Sequence, residues 1–270
     1  MIVDFHSHTL ESDGTLSPQE LGAAMRARGV EMFSITDHDT LGAYRTLGDA
    51  GGSAKLLTGI EINTTYRGNE VHVLGYRLPL EGESQLHELL AANRQARERR
   101  VGMMVAQLRE AGIPLELDAV RAEAVASDSM GRPHVGMALV RGGFVGSIEA
   151  AFRDLLGRGK PGYVPSHHVT PHVAIAVIRR SGGIPVLAHP GRLNDYALID
   201  ELAPAGLRGL EVFYPTHDRN QIAHFRKKAA QLKLVATAGS DFHDIRWNKG
   251  GVGVDIEERD IAPFLELAFA

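Results

Sequence analysis

Short apolar runs recur along the chain, and most of them end in polar residues that can carry chemistry. The first run begins at residue 2 and ends at His6 and His8. The length of these runs and their content of Val, Ile and Leu are typical of buried strands. Further runs of this kind cover residues 31–36, 55–60, 70–76, 184–188, 209–213 and 234–238. The pattern therefore predicts seven strands, with His, Asp or Glu side chains at or near most of their carboxyl ends.

Helical signals separate the first predicted strands. Ser17, Pro18 and Glu20 form a capping box with proline at the first helical position. Gly29 then predicts that this helix ends after Arg28. A succession of strand, helix and strand favours parallel βα units.

The middle of the chain has a different character. It predicts a long charged helix over residues 84–111, further helical stretches and no clear parallel strand. We therefore predict an α/β protein: a distorted TIM-like (β/α)7 barrel, formed by residues 1–80 and 166–270, with an inserted, mainly helical lobe at 81–165 for substrate recognition. In such barrels the catalytic groups gather at the carboxyl ends of the strands.

Composition limits the class of protein. The 270 residues are 44% hydrophobic and 23% charged, as in ordinary soluble globular proteins. The net charge of −4 means that binding of phosphate or nucleic acid needs a local basic patch. The absence of cysteine excludes disulfides and thiolate metal sites and agrees with a cytoplasmic location. We expect neither a signal peptide nor a membrane span, since no suitable apolar run is present.

Nine imidazole and carboxylate side chains lie at or just past the ends of predicted strands or within them: His6, His8, Asp13, His38, Glu61, His72, His189, Asp241 and His243. His6 and His8 project together, because residues two apart in an extended chain share a face. Imidazole and carboxylate without thiolate suit manganese, iron or zinc. Nine ligands exceed the need of one ion, so we expect two or three ions. Glu61 is the natural bridge, because a carboxylate has two oxygens.

Each of these residues alone has a simpler explanation. His72 within an apolar run would be a hydrogen-bonded core histidine, and Asp13 would be a turn residue or a helix cap. His189, followed by Pro190 and Gly191, would be part of a turn. Their joint occurrence at strand ends favours a shared metal centre.

A second feature of the chain is basic. Arg94, Arg97 and Arg100 are spaced by three in the long predicted helix, so they lie close to one face. This face is either solvated, with Glu98 as an ion-pair partner, or a clamp for phosphate, whose oxygens guanidinium groups bind in a bidentate way. Arg132-Pro133-His134 is either an exposed loop or a source of one more donor.

The candidate ligands fall in motifs that resemble those of the PHP (polymerase and histidinol phosphatase) family of metal-dependent phosphoesterases. These motifs extend from residue 4 to residue 243. They are Asp4-Phe5-His6-Ser7-His8, Thr36-Asp37-His38, Gly59-Ile60-Glu61, Val71-His72-Val73, Ala188-His189-Pro190 and Ser240-Asp241-Phe242-His243.

Within this family the chain looks like the branch that hydrolyses nucleoside 3′,5′-bisphosphates. Members of that branch, RNase AM among them, also trim short RNA from a 5′-phosphorylated end. The features that carry this narrower resemblance are the insertion between His72 and His189, the arginine series, Arg132 with His134, and the segment 160–164.

The resemblance implies a role for each candidate residue. Three ions would be held, the first by His6, His8, Glu61 and Asp241, the second by Glu61, His72 and His189, and the third by Asp13, His38 and His243. The substrate phosphates would contact Arg97, Arg100 and His134. The candidates for protonating the leaving oxygen are His189, Asp241 and His243. The ions would be Mn²⁺, with Fe²⁺ or Zn²⁺ as alternatives.

We therefore expect an enzyme that removes the 3′-phosphate of nucleoside 3′,5′-bisphosphates such as 3′-phosphoadenosine 5′-phosphate, with 5′-3′ exoribonuclease activity on short 5′-phosphorylated RNA as an extension. A hydroxide bridging two ions would attack phosphorus, because cations lower the pKa of water from about 15.7 towards about 7. Histidinol phosphatase or another small phosphomonoesterase, an amidohydrolase and a metal-binding module without catalysis remain alternatives. The expected partners are a small nucleotide and short single-stranded RNA, with no membrane and no evident protein partner.

Overall fold

The computed structural model describes residues 1–81, 84–246 and 248–270. Strands and helices are mixed along these ranges, which confirms the predicted α/β class. The strands are β1 (Ile2–Asp4), β2 (Met32–Phe33), β3 (Lys55–Leu56), β4 (Gly59–Tyr66), β5 (Asn69–Tyr76), β6 (Ile184–Leu187), β7 (Gly209–Phe213), β8 (Val235–Ala238) and β9 (Val254–Asp255).

The helices surround the strands and fill the middle of the chain. They are α1 (Pro18–Arg28), α2 (Ala43–Thr46), α3 (Ser84–Glu110), α4 (Leu117–Glu123), α5 (Arg132–Arg141), α6 (Ile148–Ala151), α7 (Pro171–Arg180), α8 (Ala197–Leu202), α9 (Arg219–Leu232) and α10 (Glu258–Ala268). Helix α6 continues into a π-helical turn at Phe152–Leu156, and a 3₁₀ turn covers Pro190–Arg192.

The first helix begins and ends where the sequence predicts. The Ser17 hydroxyl accepts a hydrogen bond from the Glu20 N–H, and the Glu20 carboxylate accepts one from the Ser17 N–H. Gly29 ends the helix with φ at 76°, a left-handed conformation that glycine adopts without strain.

The strands form two sheets. The first has the order β3-β2-β1-β9, in which only β9 is antiparallel to its neighbour. The second has the order β4-β5-β6-β7-β8, in which β5 is antiparallel to both β4 and β6 while β6, β7 and β8 are parallel. Neither sheet is closed, so the structure supports the mixed α/β class, and the distorted TIM-like barrel stays a prediction.

The antiparallel direction of β5 differs from the predicted parallel βα units and has a local physical cause. The run at residues 55–60 splits between β3 and β4, which belong to different sheets. Strand β4 then continues to Tyr66 and returns as β5 through a two-residue turn at Arg67 and Gly68, with φ of 48° and 75°. Two successive positive φ angles match the right-handed twist of the strands, so this turn makes a tight antiparallel hairpin.

The two sheets meet at the polar residues that follow several of their strands. Isolated bridges join Ser7 to Phe242 and His38 to Glu61. The Phe5 N–H donates to the Ala238 carbonyl at 3.0 Å, and the Asp241 N–H donates to the His6 carbonyl at 2.8 Å. Polar residues that follow β1, β2 and β8 are thereby brought to Glu61 in β4.

The helical middle of the chain has its own hydrophobic cluster. It includes Val101, Leu108, Leu139 and Leu156, all fully buried. The main core lies elsewhere, between the second sheet and helices that include α7 and α10. The division into a barrel and an inserted lobe at 81–165 stays a prediction. Over the described residues, no helix combines the length and the apolar character needed to cross a bilayer.

Candidate metal centre

The nine predicted ligands converge where the two sheets meet. His6 and His8 follow β1 and are fully buried. Glu61 and His72 share one face of the hairpin, because Asn63 pairs with His72 and lies two residues from Glu61. The remaining ligands line one pocket of about 710 Å³ together with Glu61 and His72; they are Asp13, His38, His189, Asp241 and His243.

Asp13 reaches the site through a loop fixed by buried hydrogen bonds. The Asp37 carboxylate accepts from the Thr9 N–H at 2.7 Å and from the Ser12 hydroxyl at 2.6 Å. A Cβ at Gly14 would lie 2.4 Å from the His8 carbonyl oxygen, so only glycine permits this close approach. Asp37 therefore holds the loop that presents Asp13.

Glu61 lies at the centre of the cluster. Its Oε2 is 3.2 Å from His6 Nε2, 3.1 Å from His8 Nε2 and 3.1 Å from His38 Nδ1. Its Oε1 is 2.8 Å from His72 Nδ1 and 3.1 Å from His189 Nε2. One carboxylate thus faces five imidazoles, the geometry required of a group that bridges several cations.

The ligand atoms fall into three overlapping groups, and within each group the atoms lie within 4.8 Å of one another. These groups are His6, His8, Glu61 and Asp241; His38, Glu61 and His72; and His8, Asp13, His38 and His243. The first coincides with the first predicted set. The second contains His38 where the prediction has His189, and the third adds His8 to the predicted residues.

Several ligand atoms are buried without a hydrogen-bond partner. They are His6 Nε2, His8 Nε2, His38 Nδ1, Asp13 Oδ1 and Glu61 Oε2. A buried polar atom that lacks a partner lowers the stability of the fold by about 1–3 kcal/mol, so five such atoms in one cluster would destabilise it strongly. Divalent cations would satisfy all of these atoms, and the imidazole and carboxylate donors suit Mn²⁺, Fe²⁺ or Zn²⁺. The residues present therefore fit the implied ions.

The electrostatics of the cluster reflect the crowding of imidazoles and carboxylates. Burial by itself lowers the pKa of His8, but Asp241 and Glu61 outweigh burial and raise this pKa to about 10. For Glu61, burial raises the pKa, but His38, His6 and His72 together hold it well below the usual range. Glu61 is therefore a carboxylate, ready to bind cations.

The backbone at two of the ligands is strained. His189 and Asp241 have φ of 27° and 52°, in the left-handed region that residues with a Cβ rarely adopt. Such conformations cost about 1–3 kcal/mol each and persist only where the surroundings fix them. His189 lies two residues after β6 and Asp241 three residues after β8, and both side chains line the pocket.

Three supporting residues escaped the sequence analysis. Glu211 is fully buried in β7, with Oε1 2.8 Å from His6 Nδ1 and Oε2 accepting the His189 N–H at 2.7 Å. The Tyr214 hydroxyl donates to Asp241 Oδ2 at 2.8 Å, and Arg192 Nη1 lies 3.2 Å from the same oxygen. The signal for Glu211 was present, because a lone carboxylate interrupts the apolar run 209–213.

The predicted phosphate clamp lies on the wall of the same pocket. Arg97 and Arg100 line it beside Arg132, and Arg97 Nη2 is 3.7 Å from Asp13 Oδ2. Glu70 joins the other two arginines, with Oε1 2.5 Å from Arg100 Nη1 and Oε2 3.2 Å from Arg132 Nη2. Burial raises the pKa of Glu70, but Arg132 and Arg100 lower it to about 2, so Glu70 is ionised.

Two other basic candidates lie outside this wall. Arg94 donates to the Asp39 carbonyl at 2.8 Å and lines a different groove. His134 is buried, and its Nδ1 accepts the Gly131 N–H at 3.0 Å at the start of α5. Gly131, Arg132 and Pro133 line the pocket and His134 is not among the described lining residues. A contact of His134 with substrate stays a prediction.

No protein-family model matches the chain. The chain is 35% identical over 256 residues to the 5′-3′ exoribonuclease Rnm of Escherichia coli, covering 90% of this chain and 85% of the relative. It is 32% identical to the 3′,5′-nucleoside bisphosphate phosphatase of Chromobacterium violaceum, covering 89% and 87% of the two chains. It is also 32% identical to the phosphoribosyl 1,2-cyclic phosphate 1,2-diphosphodiesterase of Eggerthella lenta, covering 90% and 94%.

Among solved structures, the fold is similar to that of a proposed metal-dependent phosphoesterase from Bifidobacterium adolescentis. The TM-score is 0.87 at 31% sequence identity, and the match covers 98% of this chain and 96% of the other. The match therefore extends over almost the whole chain.

Proposed function

Because the chain belongs to the PHP family of metal-dependent phosphoesterases, we propose that it hydrolyses the 3′-phosphate of nucleoside 3′,5′-bisphosphates. We propose further that the same site removes nucleotides from the 5′ end of short 5′-phosphorylated RNA. The observation that carries both proposals is one pocket that joins the ligand groups to the wall of Arg97, Arg100 and Arg132. Such a pocket offers groups for two phosphates of one substrate.

The predicted ligand set would hold two or three divalent ions, and we propose that these ions are Mn²⁺. The ions would supply Lewis-acid charge to the phosphoryl oxygens and lower the pKa of bound water. We also propose that the two sheets together correspond to a distorted barrel and that residues 81–165 form a lobe that recognises the substrate.

The arginine wall would bind the phosphate that does not react. Arg97 and Arg100 come from α3, and their donors face the pocket near Asp13 and Glu70. Glu70 holds the Arg100 and Arg132 guanidinium groups at the wall, so a second phosphate would join an arranged set of donors. Binding at a distance from the reacting phosphate explains how the enzyme would discriminate against a monophosphate.

Hydrolysis would break the bond between phosphorus and the ribose 3′-oxygen and add water across it. The leaving oxygen then needs a proton. His189, Asp241 and His243 are our candidates, because all three line the pocket and each has a ring nitrogen or carboxylate oxygen close to another ligand. Tyr214 and Arg192 hold the Asp241 carboxylate in place from the other side.

The alternatives fit the wall less well. Histidinol phosphate carries a cationic amine, and the arginines at the wall would repel it. Release of inorganic phosphate without hydrolysis of amides would separate a phosphoesterase from an amidohydrolase.

The test is phosphate release by the manganese-loaded enzyme from adenosine 3′,5′-bisphosphate, with 3′-AMP, 5′-AMP, histidinol phosphate and a phosphoribosyl 1,2-cyclic phosphate in parallel. We expect a strong preference for the bisphosphate. Equal turnover of the monophosphates, or turnover of the cyclic ester alone, would overturn the substrate assignment and leave the metal centre standing.

A further inference from the structure

A second groove opens beside the pocket that contains the ligand groups. It lies between the β4–β5 turn and the loop that leads from the 3₁₀ turn to α8. Glu70 and Arg192 line both cavities, so the groove continues from the wall of the first pocket. A substrate chain that crosses the ligand groups can therefore extend into it.

The groove has the surface that an unpaired base requires. Val71, Leu193 and Leu198 give it apolar lining, and the Tyr66 ring lies at its side. The Arg67 guanidinium lies over that ring, 4.9 Å from its centroid. Aromatic rings backed by arginine are typical platforms for the bases of single-stranded nucleic acid.

Polar groups in the groove add hydrogen-bonding capacity. Asn69 Oδ1 accepts from Asn194 Nδ2 at 2.8 Å and from Arg158 Nη1 at 3.5 Å, and Asn69 Nδ2 donates to the Arg67 carbonyl at 3.2 Å. Among the described residues, the second N–H of each amide and the Asn194 Oδ1 remain for a ligand. Such groups bind the edges of splayed-out bases.

Two of the three carboxylates that line the groove are paired with arginine. Glu201 is paired with Arg67 at 3.4 Å, and Glu70 is paired with Arg100 and Arg132. The Asp195 carboxylate accepts the Ala197 N–H at 2.9 Å at the start of α8. Arg192, with 55% of its side chain exposed, stands at the border between the two cavities.

From this geometry we infer that the groove binds the second nucleotide of a 5′-phosphorylated single-stranded RNA, with its base stacked on Tyr66. The inference rests on the proposed function, since the phosphodiester after the first nucleotide must lie at the ligand groups. A nucleoside bisphosphate ends before the groove and leaves it empty. The groove therefore contributes to cleavage of RNA and not to that of the bisphosphate.

The test compares Tyr66→Ala with the wild type on the 5′-phosphorylated trinucleotide pApApA and on adenosine 3′,5′-bisphosphate. Loss of a stacked base costs about 1–3 kcal/mol, so kcat/KM for the trinucleotide should fall at least about fivefold. Turnover of the bisphosphate should stay within about twofold of wild type. Tyr66→Phe is the matched control, because it keeps the ring and removes only the hydroxyl that donates to Glu201.

A second variant, Asn194→Ala, keeps the test informative if Tyr66→Ala fails to fold, and it should lower only the trinucleotide rate. Unchanged trinucleotide kinetics in both alanine variants would overturn the inference, as would equal losses on both substrates or the same loss in Tyr66→Phe as in Tyr66→Ala. A wild type that hydrolyses the bisphosphate and not the trinucleotide would overturn this inference alone. A wild type that hydrolyses neither would overturn the proposed function.

Discussion

At the scale of single residues, the clustering of the candidate ligands could be predicted from the sequence, and the residues that support them could not. His6 and His8 could be predicted together, because spacing by two after a strand puts both imidazoles on one face. Glu211 interrupts an apolar run, but its role could not be predicted, because its partners lie on strands that are distant in sequence. Its carboxylate contacts the His6 ring and the His189 N–H only after β1, β6 and β7 have assembled.

Glu61→Ala should remove bound metal and activity together. The substitution deletes two oxygens that face five imidazoles, so the ligand groups lose their common member. Metal content measured by elemental analysis should fall well below that of the wild type, together with phosphate release. Full activity in this variant would contradict the bridging role.

Glu211→Gln should weaken metal binding and spare substrate binding. The carboxylate orients His6 through Nδ1 and receives the His189 N–H, and loss of such outer partners costs about 10- to 100-fold in metal affinity. Activity titrated against Mn²⁺ should reach half-maximum at a correspondingly higher concentration, with KM unchanged at saturation. Glu31→Gln, an exposed carboxylate, is the control. A normal metal titration in Glu211→Gln would remove Glu211 from the support of the site.

At the scale of elements, the strands could be predicted from the apolar runs, but the antiparallel direction of β5 could not. The turn at Arg67 and Gly68 lacks the Asn-Gly or Asp-Gly pair that marks most tight hairpins, so the apolar runs on either side read as successive parallel strands. Helix α1 was predicted correctly because its capping box and terminal glycine are local signals. The pairing of β4 with β5 sets the face on which Glu61 and His72 meet.

The close approach of β1 and β8 makes one glycine indispensable. A Cβ at Gly239 would lie 2.3 Å from His6 Cβ and 2.7 Å from Glu211 Oε1. Gly239→Ala should therefore displace His6, reduce metal content and destabilise the fold by about 1–3 kcal/mol. Gly102→Ala in α3 is the opposite case, since its Cβ meets nothing within 4 Å and a helical Ala should stabilise by about 1 kcal/mol. Thermal unfolding should show shifts of opposite sign, and a stable, metal-replete Gly239→Ala would contradict this packing.

At the scale of the whole molecule, the chain brings two kinds of chemistry to one pocket from distant segments. The candidate ligands come from the segments that follow β1, β2, β6 and β8 and from β4 and β5, whereas the arginine wall comes from α3 and the first turn of α5. Both features could be expected from the sequence, but periodicity alone cannot say which arginines face the candidate ligands. Arg97 and Arg100 face the pocket and Arg94 does not, because the packing of α3 fixes its rotation.

The most direct test of this account is the ratio of kcat/KM for adenosine 3′,5′-bisphosphate to that for 3′-AMP, measured in the wild type, Arg100→Ala and the control Arg99→Ala. Arg99 is exposed on the same helix and is not among the residues that line the pocket. Loss of a charged hydrogen bond of about 1.5–3 kcal/mol should lower the ratio about 10- to 100-fold in Arg100→Ala, with metal content unchanged. The ratio should stay at the wild-type value in Arg99→Ala. An unchanged ratio in Arg100→Ala would contradict the claim that the arginine wall and the metal ligands act on two phosphates of one substrate.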